Sequence, residues 1–126
     1  MSNPESLSKK SAQVEGEPVA ALFSPDLMFL VRLQNMARAA GYVPRSLRSG
    51  EALGEADVLV INLAGTKGWE SLAAKAAGMS VPVIAFGPHM DAESRRLAKE
   101  AGAMRVLANS NLERDLPRIL QELRDK

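Results

Sequence analysis

Few residues of this chain have side chains that could do chemistry. The 126 residues include no cysteine and a single histidine, His89. The lack of cysteine excludes disulfides, thiolate nucleophiles and cysteine-ligated zinc. Because His89 is alone, a histidine metal cluster is excluded as well, and we expect His89 to be a surface loop residue that could make its surroundings sensitive to pH.

One loop has a composition suited to binding an anion. Gly65-Thr66-Lys67-Gly68 precedes a predicted helix, so its backbone N–H groups and the Lys67 ammonium could hold a phosphate. The loop lacks the spacing of glycine, lysine and hydroxyl residue that defines a Walker A motif. An ordinary loop in which Thr66 caps the helix is the simpler interpretation.

The elements that must position these residues alternate between strand and helix. Short apolar runs predict strands at 19–23, 57–63, 81–86 and 104–108, with a weaker strand at 42–47. Pro44 cannot donate to a ladder, so this weak strand should lie at a sheet edge. The alternation predicts a parallel sheet with helices on both faces.

Helix boundaries follow from caps and prolines. Ser24 is the expected cap of the first helix with Pro25 in its first position, and Gly41 should end it. A single turn is expected at 50–55, and longer helices at about 69–77 and 91–101. Pro117 disfavours a helix interior, so the last helix is expected to begin near Leu116.

Composition and charge narrow the function classes. The formal net charge is +1, so no direct nucleic-acid binding is expected. No apolar run approaches the ~20 residues that span a bilayer, and the N-terminus lacks a signal-peptide core, which predicts a cytoplasmic protein without a membrane partner. Residues 1–17 are interpreted as a disordered leader and residues 18–126 as one domain.

Several stretches resemble the receiver domain of two-component response regulators, the CheY-like family. The similar segments are 39–42, 56–63, 81–84 and 100–103 within a resemblance that covers about residues 19–125. The resemblance implies an α/β, flavodoxin-like (βα)5 three-layer sandwich whose parallel five-stranded sheet has the order 2-1-3-4-5. In that order the second strand is at the edge, as Pro44 independently suggests.

The positions that carry receiver chemistry are substituted in this sequence. The resemblance places the two magnesium-binding acids at Ser24 and Pro25, with Asp26 only adjacent, and the phosphoacceptor aspartate at Asn62. A single offset acid offers too little charge for Mg²⁺, and an amide cannot form an acyl phosphate. The hydroxyl, lysine and aromatic-switch positions of the family fall on Gly87, Asn109 and Val106.

The sequence therefore predicts a degenerate pseudo-receiver without catalytic residues, metal or cofactor. We expect a non-enzymatic, phosphorylation-independent regulatory module that binds a protein partner in signalling, with a homodimer left open. Candidate interface residues are Trp69, Arg95, Arg96, Leu97 and Val106. The alternative is a domain that binds a small molecule, anion or nucleotide through the loops after strands 1, 3 and 4, with Thr66, Lys67 and His89 as candidate ligand-binding residues.

Overall fold

The structure is a computed structural model that describes residues 16–48, 53–64, 68–88 and 90–125. The strands in these ranges are β1 (Val19–Phe23), β2 (Val43–Ser46), β3 (Val58–Asn62), β4 (Val83–Gly87) and β5 (Arg105–Ala108). The helices are α1 (Leu27–Ala39), α2 (Trp69–Gly78), α3 (Ala92–Glu100) and α4 (Leu112–Arg124), the last preceded by a 3₁₀ turn at Asn109–Asn111. Half of the single turn predicted at 50–55 lies outside the described residues, and the described half, 53–55, is not helical.

The five described strands form one parallel sheet in the order β2-β1-β3-β4-β5. This confirms the predicted strand order and the edge position of β2. The N–H groups of Val43, in β2, and of Leu47, directly after it, donate inward at 2.8 Å to the carbonyls of Pro18 and Leu22 on the side of β1. Since alternate residues of a strand direct their N–H groups to opposite sides, the nitrogen of Pro44 faces outward, where its missing hydrogen removes no ladder bond.

Helices cover both faces of the sheet, and each face has its own apolar core. The core beneath α1 and α4 contains Leu22, Val60 and Phe86. The core beneath α2 and α3 contains Phe23, Ile61 and Ala85. All residues of β1, β3 and β4 are buried, which explains why these strands are continuous apolar runs rather than alternating ones.

The last helix differs from its prediction. It begins at Leu112 and contains Pro117, instead of beginning near Leu116. Pro117 costs roughly 3 kcal/mol inside a helix. Leu112 and Leu116 are fully buried, and each such side chain contributes about 1.5–3 kcal/mol when it leaves water. The apolar stripe therefore outweighs the proline, and the early start of α4 places both leucines in the core.

Tyr42 joins the loop after α1 to α4. Its side chain is buried, and its hydroxyl donates to the carbonyl oxygen of Leu120 at 2.7 Å. Burial raises the pKa of the phenol, and the nearby carboxylates of Asp57 and Asp125 raise it further against the opposing charge of Arg124. The folded protein thus favours the neutral phenol.

We predict that Tyr42→Phe lowers the free energy of unfolding by about 1 kcal/mol at neutral pH, the usual value of one buried hydrogen bond. Because the folded-state pKa is raised, the contribution of this phenol is complete below pH ~10 and is lost as the pH rises through the folded value. Urea unfolding of both proteins at neutral and alkaline pH measures this. A wild-type protein that loses no more stability at alkaline pH than the variant would contradict the prediction.

Candidate functional site

Asn62 and Ser24 meet at the carboxyl edge of the sheet. Asn62 ends β3 and is 1% exposed, and Ser24 follows β1 and is 8% exposed. The Asn62 amide nitrogen donates to Ser24 Oγ at 3.1 Å, and its Oδ1 accepts from the Ala64 backbone N–H at 2.9 Å. Both atoms of the Asn62 amide group are thus held by the protein itself.

The Ser24 hydroxyl uses its full hydrogen-bonding capacity in this loop. It donates to the Asp26 carbonyl at 3.1 Å and accepts from the Asp26 backbone N–H at 3.2 Å, besides accepting from Asn62. One hydrogen and two lone pairs are all that a hydroxyl offers. Ser24 therefore holds the start of the following loop in place rather than facing an open site.

Asp26, and not Ser24, caps the first helix. Its Oδ1 accepts from the backbone N–H groups of Met28 at 2.8 Å and Phe29 at 3.3 Å, and α1 begins at Leu27. The predicted cap at Ser24 is wrong because the Ser24 hydroxyl is already engaged with Asn62 and the Asp26 backbone. Pro25 is exposed and lies before the helix. The carboxylate of Asp26 is thus directed at the helix terminus.

Gly87 ends β4 in a place with little room for a side chain. A Cβ atom there would lie 3.3 Å from Met90 Sδ and 3.5 Å from Leu63 Cβ. Its neighbour in the ladder is Ala108, which Asn109 follows. The Oδ1 of Asn109 is buried and accepts no hydrogen bond within the described residues. The end of β4 is therefore packed closely against a thioether and a leucine side chain.

Arg95 connects strand β5 with the loop that follows β4. Its Nε donates to the carbonyl of Met90 at 2.8 Å, and its Nη1 donates to the carbonyl of Val106 at 2.7 Å. The loop ends at Asp91, which caps α3, and its Oδ1 accepts from the Ser94 N–H at 2.8 Å. That backbone hydrogen bond lowers the pKa of Asp91. The guanidinium of Arg95 thus forms its hydrogen bonds within the protein.

The structure brings Trp69 and Leu97 to one pocket. This cavity of about 290 Å³ lies between the starts of α2 and α3, and we call it the tryptophan pocket. Leu63 and Met90, which line it, were not predicted as site residues. In the sequence, Leu63 is an apolar residue directly after β3, and Met90 is an apolar residue soon after the end of β4. These positions are what could have indicated them. The lining includes Leu63, Trp69, Gly87, Met90, Ser94 and Leu97.

The remaining candidate residues lie elsewhere. Arg96 is exposed and bridges Glu93 and Glu100 on its own helix. Val106 is 6% exposed, so its side chain belongs to the core beneath α2 and α3 and is not available at a surface. The candidate ligand-binding residues Thr66, Lys67 and His89 lie outside the described residues.

Metal-binding clusters and membrane-crossing helices are both absent from the described ranges. Among those residues, no group of three or more histidine, aspartate and glutamate side chains is arranged to hold a metal ion. Of the four helices described, none has the length and apolar character that a membrane-crossing segment requires.

Comparison with known proteins yields structural matches only. No protein-family model matches the chain, and no curated protein gives a significant match. A receiver domain from Clostridium thermocellum aligns with a TM-score of 0.70 at 15% identity, covering 86% of this chain and 94% of that one. A CheY-like receiver domain from Methanospirillum hungatei gives 0.65 at 16% identity over 86% and 97%.

A third match carries a different name. A protein from Burkholderia pseudomallei, named as pilus assembly-related, aligns with a TM-score of 0.72 at 19% identity, covering 88% of this chain and 92% of that one. At such identities the similarity shows the fold alone. The chain therefore has the flavodoxin-like receiver fold, with five parallel strands in the order 2-1-3-4-5.

We predict that Ser24→Ala lowers the free energy of unfolding by about 1–3 kcal/mol, because it leaves the buried Asn62 amide without its acceptor. Ser110→Ala, on an exposed serine, should change stability by less than about 0.5 kcal/mol. A double-mutant cycle of Ser24→Ala with Asn62→Ala, measured by urea unfolding, should give a coupling energy above about 0.5 kcal/mol. Strictly additive effects would show that this hydrogen bond does not stabilise the fold.

Proposed function

We propose that this protein is a regulatory signalling module that binds a protein partner without being phosphorylated. The observation that carries the proposal is the buried pair of Asn62 and Ser24, whose hydrogen bonds close the position at which a receiver accepts phosphate. An amide there is neither charged nor a useful nucleophile, so the acyl phosphate of receivers cannot form. We also propose that the protein is not an enzyme and acts in the cytoplasm.

The electrostatics of the site favour this proposal. Magnesium is bound in proteins through carboxylates and waters, and phosphoryl transfer depends on that cation. In the described part of this edge the adjacent acid is Asp26, and its carboxylate caps α1. Serine and proline occupy the positions at which receivers carry acids. The site therefore supplies too little negative charge to recruit the metal.

A site that cannot be switched by phosphate leaves the domain in one state. Arg95 holds the loop after β4 against β5 through two carbonyl oxygens. Gly87 lets Met90 and Leu63 pack where a hydroxyl would otherwise contact a phosphoryl group. Both contacts restrain the loop between β4 and α3. We propose that the domain presents its interface constitutively.

The surface formed by α3, β5 and α4 suits a polar partner. Arg105 lies 3.9 Å from Glu122, and Arg118 lies 3.3 Å from the same carboxylate. Asp115 is shared by Arg114 at 2.9 Å and Arg118 at 3.5 Å, and its pKa is lowered mainly by the hydrogen bond from Arg114. Exposed pairs of this kind add little stability. They can instead determine which partner is accepted.

Treatment with Mg²⁺ and a small-molecule phosphoryl donor should leave the intact mass of the wild-type protein unchanged. Asn62→Asp should also remain unmodified, because it restores the nucleophile but not the metal-binding acids. A receiver domain with an intact acidic site, treated in parallel, serves as the positive control. A phosphate adduct on the wild-type chain that disappears in Asp26→Asn would overturn the proposal.

Charge reversal on β5 should separate partner binding from folding. We predict that Arg105→Glu loses the partners that wild-type protein captures from its source cell, while its thermal unfolding stays close to that of wild type. Lys75→Glu, a matched reversal on the exposed surface of α2, should capture the same partners as wild type. Equal capture by all three proteins would show that the α3, β5 and α4 surface is not the interface.

The alternative function, binding of an anion or nucleotide, can be tested by thermal unfolding. If the loop after β3 binds an anion, phosphate or a nucleotide should raise the melting temperature of the wild-type protein. That shift should disappear in Lys67→Ala. An absence of stabilisation by these anions would leave the partner-binding proposal as the better account of the chain.

A further inference from the structure

A cavity opens at the amino edge of the sheet, opposite the edge that carries Asn62. Its volume is about 540 Å³, which is within the range of pockets that hold small molecules. We call it the amino-edge cavity. Its wall includes the residue directly before each of β1 to β4 and two residues at the end of α4: Pro18, Tyr42, Asp57, Pro82, Leu123 and Arg124.

The wall of this cavity carries two opposite charges that do not pair with each other. Within the described ranges, neither Asp57 nor Arg124 takes part in an ion pair. The Asp57 Oδ2 accepts from the Val19 N–H at 2.8 Å, and Oδ1 accepts no hydrogen bond from this part of the chain. Both charges lie near the Tyr42 hydroxyl, since, besides its burial, Asp57 raises the pKa of that phenol and Arg124 lowers it. Each charge can therefore accept a partner from the cavity.

Gly41 gives the Arg124 side chain its place on the wall. A Cβ atom at Gly41 would lie 2.6 Å from Arg124 Nε and 3.0 Å from Cζ, far inside van der Waals contact. The φ angle of Gly41 is +92°, a left-handed conformation that glycine adopts without steric cost. The guanidinium thus packs along the backbone of the loop after α1, beside Tyr42.

A carboxylate and a guanidinium on one cavity wall match a ligand that has both charges. An ammonium group donates hydrogen bonds to oxygens such as Oδ1 of Asp57. A guanidinium binds a carboxylate through two parallel hydrogen bonds. Asp57 would repel a simple anion and Arg124 would repel a simple cation, so a zwitterion fits better than either. Pro18, Pro82 and Leu123 add apolar surface beside the two charges.

We propose that the amino-edge cavity binds a small zwitterion, an amino acid with an apolar side chain. Its ammonium group binds Asp57, its carboxylate binds the guanidinium of Arg124, and its side chain packs against the two prolines and Leu123. This inference does not rest on the proposed function. None of the cavity residues belongs to the Asn62 site or to the charged pairs on the surface of α3, β5 and α4.

Calorimetric titration of the full chain with L-leucine and with two derivatives tests the proposal. Leucinamide keeps only the ammonium group, and N-acetylleucine keeps only the carboxylate. At about pH 6 all these groups are charged. We expect leucine to bind at least about tenfold more tightly than either derivative, because each derivative loses a charge-assisted hydrogen bond. An absence of binding by leucine, valine and methionine at millimolar concentration, or equal binding of leucine and a derivative, would overturn the proposal.

Two variants assign each charge of the ligand to its residue. Arg124→Gln should bind leucine and leucinamide alike, because the ligand carboxylate has lost its partner. Asp57→Asn keeps an acceptor for the Val19 N–H and should bind leucine and N-acetylleucine alike. Arg38→Gln and Glu70→Gln, matched changes on exposed residues outside the cavity, should bind leucine as wild type does.

A folded cavity variant that keeps the full wild-type preference for leucine over the corresponding derivative would contradict the proposed contacts. Circular dichroism of each variant separates loss of folding from loss of binding. The titration of the wild-type chain with the two derivatives needs no variant, so it decides the proposal even if a substitution prevents folding.

Discussion

The hydrogen bond from Asn62 Nδ2 to Ser24 Oγ fixes the carboxyl edge of the sheet. Both residues are buried, so a polar group left without a partner there would cost about 1–3 kcal/mol. The bond positions Ser24, whose hydroxyl then holds the Asp26 backbone. Asp26 in turn begins α1, and Leu33 and Met36 of that helix pack into the core. The Asn62 amide thus links the carboxyl edge of the sheet, through Ser24 and Asp26, to the helix that covers one face of the sheet.

The chemistry of this edge differs from that of an acidic pocket. Carboxylates gathered without a cation repel one another, so an acidic pocket depends on its metal for stability. Here the amide and the hydroxyl satisfy each other without any added ion. Arg95 donates hydrogen bonds to two backbone carbonyls, one in the loop after β4 and one in β5. These hydrogen bonds stabilise the carboxyl edge of the sheet and the loop beside it.

Local sequence patterns were sufficient to predict the strands, but they were insufficient to predict the helix cap and the pocket at the ends of those strands. The apolar run at 57–63 predicted β3, Pro44 predicted the edge strand, and the helix expected at about 91–101 corresponds to α3. Each is a property of neighbouring residues. The cap at Asp26 could not be predicted, because it depends on a bond to Ser24 from a residue 38 positions away. The tryptophan pocket combines residues of two loops and two helices, which only tertiary packing brings together.

The outward-facing nitrogen of Pro44 has a consequence for how other molecules can approach. An extended peptide that lay along β2 would find no donor at the middle of this short strand, so it could not continue the ladder there. Pairing of a sixth strand with the β2 edge of the sheet is therefore disfavoured. Recognition on that side must use side chains, which can discriminate between partners more finely than backbone pairing can.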